Sequence, residues 1–201
     1  MTDSFAPRGP HDISDLIAAY PLATMIAQRA EGSPSIMLPL LAELDATGAL
    51  LTLLGHIPRS HPLTGSWEAD SSALVLFQGP QGYLSPSWVS DRTWAPTWAY
   101  AAVRIEANVR FLPQRTDEAL ERLVAALERG RAHTWSLAEM GDRYARLSRG
   151  VIGFCAEVRD VTARFRLGQD ERPEVWRDLV ANNPDQTLVA WMRRFGEPLG
   201  R

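Results

Sequence analysis

The stretch from Val103 to Phe111 alternates without a slip. Val103, Ile105, Ala107, Val109 and Phe111 are apolar, and Arg104, Glu106, Asn108 and Arg110 between them are polar. Successive side chains of a strand point to opposite faces, so this segment reads as a strand with one dry and one wet face, the mark of an antiparallel sheet over a single core. The same period returns in Ile152, Phe154, Ala156 and Val158, and again in Val161, Ala163, Phe165 and Leu167. It predicts two more strands joined near Asp160.

Short apolar runs at 22–28, 35–44 and 49–57, separated by "EGSPS" and "DATG", read as strands linked by hairpin loops. A Pro- and Ser-bearing link over 58–72 leads to a further strand at 73–79. It runs into "LFQGPQGYLSPSW", where Pro80 and Pro86 stand against a regular ladder. Helical spacing marks Asp12–Tyr20, ended by Pro21, and a stripe of Leu120, Leu123, Val124 and Leu127 behind a predicted Thr116 cap. Ser136 and Glu139 have capping-box spacing ahead of a helix reaching 149. The tail predicts a helix from Pro173 and a last one with Pro184 at its first position. About seven strands with helices set aside predict an α+β chain, mainly β, built as an antiparallel barrel. The domain expectation is one unit over 1–201, with a helical insertion around 116–149 and a helical tail at 172–196.

The 201 residues suffice for a sizeable core, and 45% apolar with 22% charged residues is ordinary for a globular chain. No apolar run reaches the roughly 20 residues that span a bilayer, and "MTDSFAPRGPHDISD" lacks the layout of a secretory signal, so the expectation is a cytoplasmic protein without membrane contact. Cys155 is the only cysteine, which excludes an internal disulfide and predicts a packing role. A net charge of −3 speaks against general attraction to nucleic acid. All 21 basic residues are arginine, so Schiff-base, P-loop lysine and Ser-Lys chemistry are closed. The scattered His11, His56, His61 and His133 offer no metal-ligand spacing, and no nucleophile elbow or glycine-rich dinucleotide loop is found.

Together, "GHIPRSHP", "LVLFQGPQGYLSPSW", "APTWAYAAV" and "VIGFCAEV" resemble the PaiB-like family of FMN-binding negative transcriptional regulators, over most of residues 12–171. The resemblance implies a split β-barrel of the flavin-reductase and pyridoxamine-phosphate-oxidase type, dimeric, with FMN at the subunit interface. Carried over by position, Gly55, His56, Arg59 and Ser60 match the phosphate-side segment. Tyr83, Ser85, Ser87 and Trp88, then Thr97, Trp98 and Tyr100, match the ring-side segments. A flavin needs flat apolar walls for its ring and cationic or N–H donors for its phosphate, which these residue types supply.

This chain departs from the family pattern in places. His61, Thr64 and Gly65 stand where Asn, Trp and a cation are usual, so two phosphate ligands are missing and weak FMN binding, or its loss, is expected. Met37 replaces a histidine, Ala99 an asparagine, and the stretch Gly168 to Glu171 replaces S-Q-N-R. Three function classes follow: an FMN-binding regulator-like protein, a flavin-dependent oxidoreductase, or a flavin-free barrel acting as a binding module. DNA enters only through the family, its single candidate contact being the arginines of the helix over 136–149.

Overall fold

The computed structural model describes residues 3–28 and 31–196. Seven strands form one antiparallel sheet in the order β2-β1-β5-β6-β7-β4-β3. They are β1 (Leu22–Ala27), β2 (Ser35–Pro39), β3 (Leu41–Leu44), β4 (Leu50–Pro58), β5 (Ser72–Leu84), β6 (Thr97–Phe111) and β7 (Val151–Arg166). The outermost members, β2 and β3, are consecutive in the chain and separated only by Leu40. One bent segment thus pairs with β1 at one end of the order and with β4 at the other, closing the sheet into a barrel.

The alternation seen in the sequence sorts the two faces. Ala23 and Met25, Val75 and Phe77, Val103 and Ile105, Phe154 and Phe165 are buried inside. Two helices-and-barrel contacts define the ends. At one, α2 (Pro62–Ala69) sends Leu63 and Trp67 inward, and Trp67 tilts against Phe154 with ring centroids 6.0 Å apart. At the other, α1 (Asp12–Ala19) places Leu16 over Gly79, and the C-terminal pair α5 (Pro173–Asn182) and α6 (Gln186–Phe195) brings Leu188 over Gly82 and stacks Phe195 on Phe165 at 4.7 Å. Helix α3 (Thr116–Glu128) lies on the outer side of β4 and β7, and the seven-residue α4 (Asp142–Ser148) follows it.

Several sequence expectations change in the structure. Residues 151–166 form one strand rather than two joined near Asp160: β6 faces Asp160 at Glu106 and Val158 at Ala107, so Arg159 is an extra residue. A bulge consumes one residue and flips the alternation, which in the sequence imitates a turn. Pro80 likewise does not end a strand. β5 continues to Leu84 because Gly79 and Pro80 sit in an irregularity between Gln78 and Gln81, where no ladder N–H is needed. The link 58–72 contains α2, capped by His61 with Pro62 next, a start that carries no Ser, Thr, Asp or Asn.

Thr116 does not cap α3. It is buried and its hydroxyl donates to the Pro113 carbonyl (2.9 Å) and accepts the Gly153 N–H (2.9 Å), which ties the helix to β7. The Ser136–Glu139 capping box forms, but its helix is a single 3-10 turn over Leu137–Met140, broken from α4 at Gly141, whose φ of 52° suits glycine. The last helix starts two residues later than Pro184, on an Asp185 cap that accepts from the Thr187 and Leu188 N–H groups (both 3.0 Å). Cys155 is buried and free on β7.

Candidate functional site

The phosphate-side segment leaves the barrel at the end of β4. Gly55 faces the interior, where an added Cβ would sit 2.5 Å from Leu40 Cδ2 and 3.0 Å from the Phe154 ring, so its role is packing between those side chains. His56, directly opposite Gly153, is half-buried on the other face. Its Nδ1 is buried with no hydrogen-bond partner among the described residues, and desolvation lowers its pKa, keeping the ring neutral near pH 7. Arg59 and Ser60 follow in an exposed turn held by the Arg59 N–H bond to the Gly150 carbonyl (2.9 Å). Among the described residues the Arg59 guanidinium has no ion-pair partner.

The neighbouring departures are turned to structural uses. His61 Nδ1 accepts the Leu63 N–H (3.3 Å), and Thr64 donates to the Pro58 carbonyl (3.2 Å). An added Cβ at Gly65 would have no other atom within 4 Å.

The ring-side segment spans the β5–β6 connection. Tyr83 is paired with Trp98, their rings tilted at 55° with centroids 6.2 Å apart, and they are 48% and 50% exposed. Together they leave an aromatic patch half in water on the outer face. Thr97 pairs with Leu84 and Tyr100 with Arg166, so Trp98 and Tyr100 project from the outer face of β6. Ser85 and Ser87 hold each other at 2.7 Å, and Ser85 Oγ also accepts the Ser87 N–H (3.2 Å), shaping the 3-10 turn Pro86–Trp88. Trp88 is half-buried and packs against the core. Beside Tyr100, a cavity of about 400 Å³ opens on the outer face over Leu76 and Ala102, flanked by Thr24, Gln78, Arg104 and Arg164. Sequence reasoning did not select these flanking residues; their signal was the polar half of the alternation.

Two groups of predicted residues therefore form, and one chain does not join them. Pro58 pairs with Val151 and Phe111 with Phe154, whereas Tyr100 pairs with Arg166, so His56 and Trp98 mark opposite ends of β6 and β7. About 45 Å of strand contour separates them at roughly 3.3 Å per residue. On the outer face between lie Leu22 and Met37, more than half exposed, and the partly covered Leu76 and Ala102.

The remaining departures are also explained locally. Glu171 points at the indole of Trp94, whose Nε1–H it accepts at 2.7 Å, and desolvation raises its pKa. Ala99 is buried inside the barrel, and Gly168 takes a φ of 94°. Residue types that suit a phosphorylated flavin are present at each end: an arginine and a half-buried imidazole that have no side-chain partner among the described residues at one, a pair of half-exposed rings at the other. Among the described residues, no helix is long and apolar enough to cross a membrane, and no group of three or more His, Cys, Asp or Glu side chains is placed to hold a metal ion.

Comparison with known proteins bears on this arrangement. Residues 1–160 match the family described as "Putative FMN-binding domain". The chain is 31% identical over 133 residues to "Protease synthase and sporulation protein PAI 2" of Bacillus subtilis, an alignment covering 64% of this chain and 62% of that protein. Among solved structures, the FAD and heme binding protein from Mycobacterium smegmatis superposes with a TM-score of 0.59 at 12% identity, covering 88% of this chain and 80% of the other. The flavocytochrome Anf3 from Azotobacter vinelandii gives 0.54 at 12% identity, covering 80% and 76%. Identities this low carry the barrel fold alone, while the family match extends over most of the sequence. The chain belongs to the PaiB-like FMN-binding family, whose split-barrel fold it adopts and whose cofactor is FMN.

Proposed function

We propose that two copies of this chain bind FMN between them, Arg59, Ser60 and His56 of one protomer meeting the phosphate and Tyr83, Trp98 and Tyr100 of the other lining the ring. The observation that carries this reading is the separation of the two residue groups to opposite ends of one sheet. A two-fold axis across the outer face of β1, β5 and β6 sets one end of each protomer beside the other end of its partner. Such an isologous contact uses the same surface patch twice. It also covers Leu22 and Met37, whose exposure would otherwise be unfavourable. When bound, FMN supplies the redox chemistry, and the protein supplies orientation and electrostatics. Arg59 contributes a charge-assisted contact, and the half-buried His56, its pKa lowered by desolvation, adds no second cation.

Loss of the usual cation at Gly65 supports binding weaker than in relatives that keep it. Titration with FMN, followed by flavin fluorescence and by absorbance near 450 nm, tests the proposal, with light scattering for the oligomer. Saturable binding by a dimer is expected, and Arg59→Ala should weaken it by about 1.5–3 kcal/mol. A monomer, or no binding at high micromolar FMN, rejects it. Turnover of a reduced nicotinamide by the loaded dimer then distinguishes a catalytic flavin from a sensing one. A DNA contact through Arg143, Arg146 and Arg149 would rest on α4 and its C-cap, a helix of seven residues or about 10 Å on which the three arginines are exposed.

A further inference from the structure

The loop that carries Ser85, Ser87 and Trp88 has no strand to pair with between Leu84 and Thr97, and its place is set from the C-terminal side. Asp178 Oδ2 on α5 accepts the Ser90 N–H at 2.7 Å. Asn182 Nδ2, one turn further along, donates to the Trp88 carbonyl at 2.8 Å. Glu171 accepts from the Trp94 indole, and Arg172 is ion-paired with Asp91. The helix making these contacts is itself fixed: Val175, Trp176, Leu179 and Val180 are buried, and α6 is bolted to α1 by Arg194, which reaches Asp12 and Asp15 at 2.7 Å each. All of these C-terminal residues lie beyond the family match, which ends at residue 160.

We infer that α5 is a positioning element for the flavin ring, with Asp178 and Asn182 as positioning residues that act through the main chain of Trp88 and Ser90. The inference rests on the proposed flavin site. Two main-chain groups, one N–H and one carbonyl, are held by side chains on the same face of one helix at i and i+4, so the loop cannot shift without giving up both bonds. Because Ser85, Ser87 and Trp88 stand on this loop, its placement decides where they lie against the Tyr83–Trp98 pair, whose own spacing is set by the β5–β6 ladder. The contacts to Trp94 and Asp91 hold the same loop nearer β6.

The test uses the full chain as the wild type, Asp178→Ala, Asn182→Ala, the double variant and Asp178→Asn. Two readouts are taken: backbone hydrogen exchange over residues 85–94 without flavin, and FMN titration with visible circular dichroism of the bound flavin. The double variant should lose protection in the loop, raise the FMN Kd by about tenfold and change the flavin dichroism, while exchange in β6 and β7 stays as in wild type. Asp178→Asn keeps an oxygen acceptor for the Ser90 N–H and should recover most of the affinity that Asp178→Ala loses. Wild-type Kd and dichroism in the double variant overturn the inference, as does an Asn variant no better than the Ala variant. A wild type that binds no FMN overturns the flavin site and the positioning role together, and unchanged loop exchange in the double variant refutes the clamp whatever the flavin does.

Discussion

Gly153→Ala probes how α3 is seated on the barrel, because an added Cβ there would stand 2.9 Å from Thr116 Cα, 3.1 Å from Thr116 N and 3.2 Å from the Arg115 carbonyl oxygen. All three are backbone atoms, so relief requires the start of the helix to move rather than a side chain to turn. Overpacking of this kind costs about 1–3 kcal/mol. The loss of glycine's freedom in the unfolded chain returns about 0.4–1 kcal/mol, which leaves a net destabilisation of roughly 1–2 kcal/mol. For a chain of this length that is a fall in Tm of about 2–8 °C. Gly82→Ala makes a nominally closer approach, 2.8 Å, but to Leu188 Cδ2, the far end of a side chain that can change rotamer. Thermal and urea unfolding of the two variants side by side is the assay, with Gly153→Ala the more damaged. Equal stabilities, or the reverse order, would refute the claim that α3 rests directly on the β7 backbone.

Thr116→Val removes the acceptor for the buried Gly153 N–H and should cost about 1–3 kcal/mol in urea unfolding, where a helix cap exposed to water would cost less. Glu118 is held at a pKa of about 2, first by its hydrogen bond to Arg115 and then by Arg122, against an unfolded value near 4.5. Since the folded pKa is the lower one, its contribution is present above pH 4.5 and is lost as pH falls toward 2, so the stability gap between wild type and Glu118→Gln should close across that window in acid titrations of unfolding. His56 also has a depressed pKa, from burial, and its contribution should fade as pH drops below about 6.5; His56→Gln should flatten that part of the profile. Met37→Asp places a charge on the outer face and should give a monomer by light scattering with FMN affinity reduced; an intact dimer moves the interface elsewhere.

Much of the fold was legible because strand alternation is a local property. Val103 to Phe111 showed its dry face residue by residue, and the apolar runs before it marked β1, β4 and the start of β5. What failed was the reading of interruptions. The bulge at Arg159 and the Gly79–Pro80 irregularity look like chain turns in one dimension, since a single extra residue shifts the period as a turn does. Helix α2 was missed because its cap is a histidine, whose ring nitrogen accepts the Leu63 N–H in place of a Ser or Asp oxygen. Thr116 was misread in the opposite sense: its hydroxyl suited a cap, but Gly153 from a distant strand claims it.

The candidate site divides along the same line. Motif residues such as Arg59, Tyr83 and Trp98 stand in the sequence in recognisable order, and their chemistry follows from residue type. Only the barrel shows that they occupy opposite ends of one sheet, that His56 keeps a buried nitrogen without a partner among the described residues, and that Glu171 answers Trp94 instead of standing as a stray charge. The sequence alone determined where strands run and which of their faces is dry, because side-chain direction there follows from backbone geometry. The tertiary structure decided which distant groups meet, because strand order, bulges and helix docking depend on contacts between residues far apart in the chain.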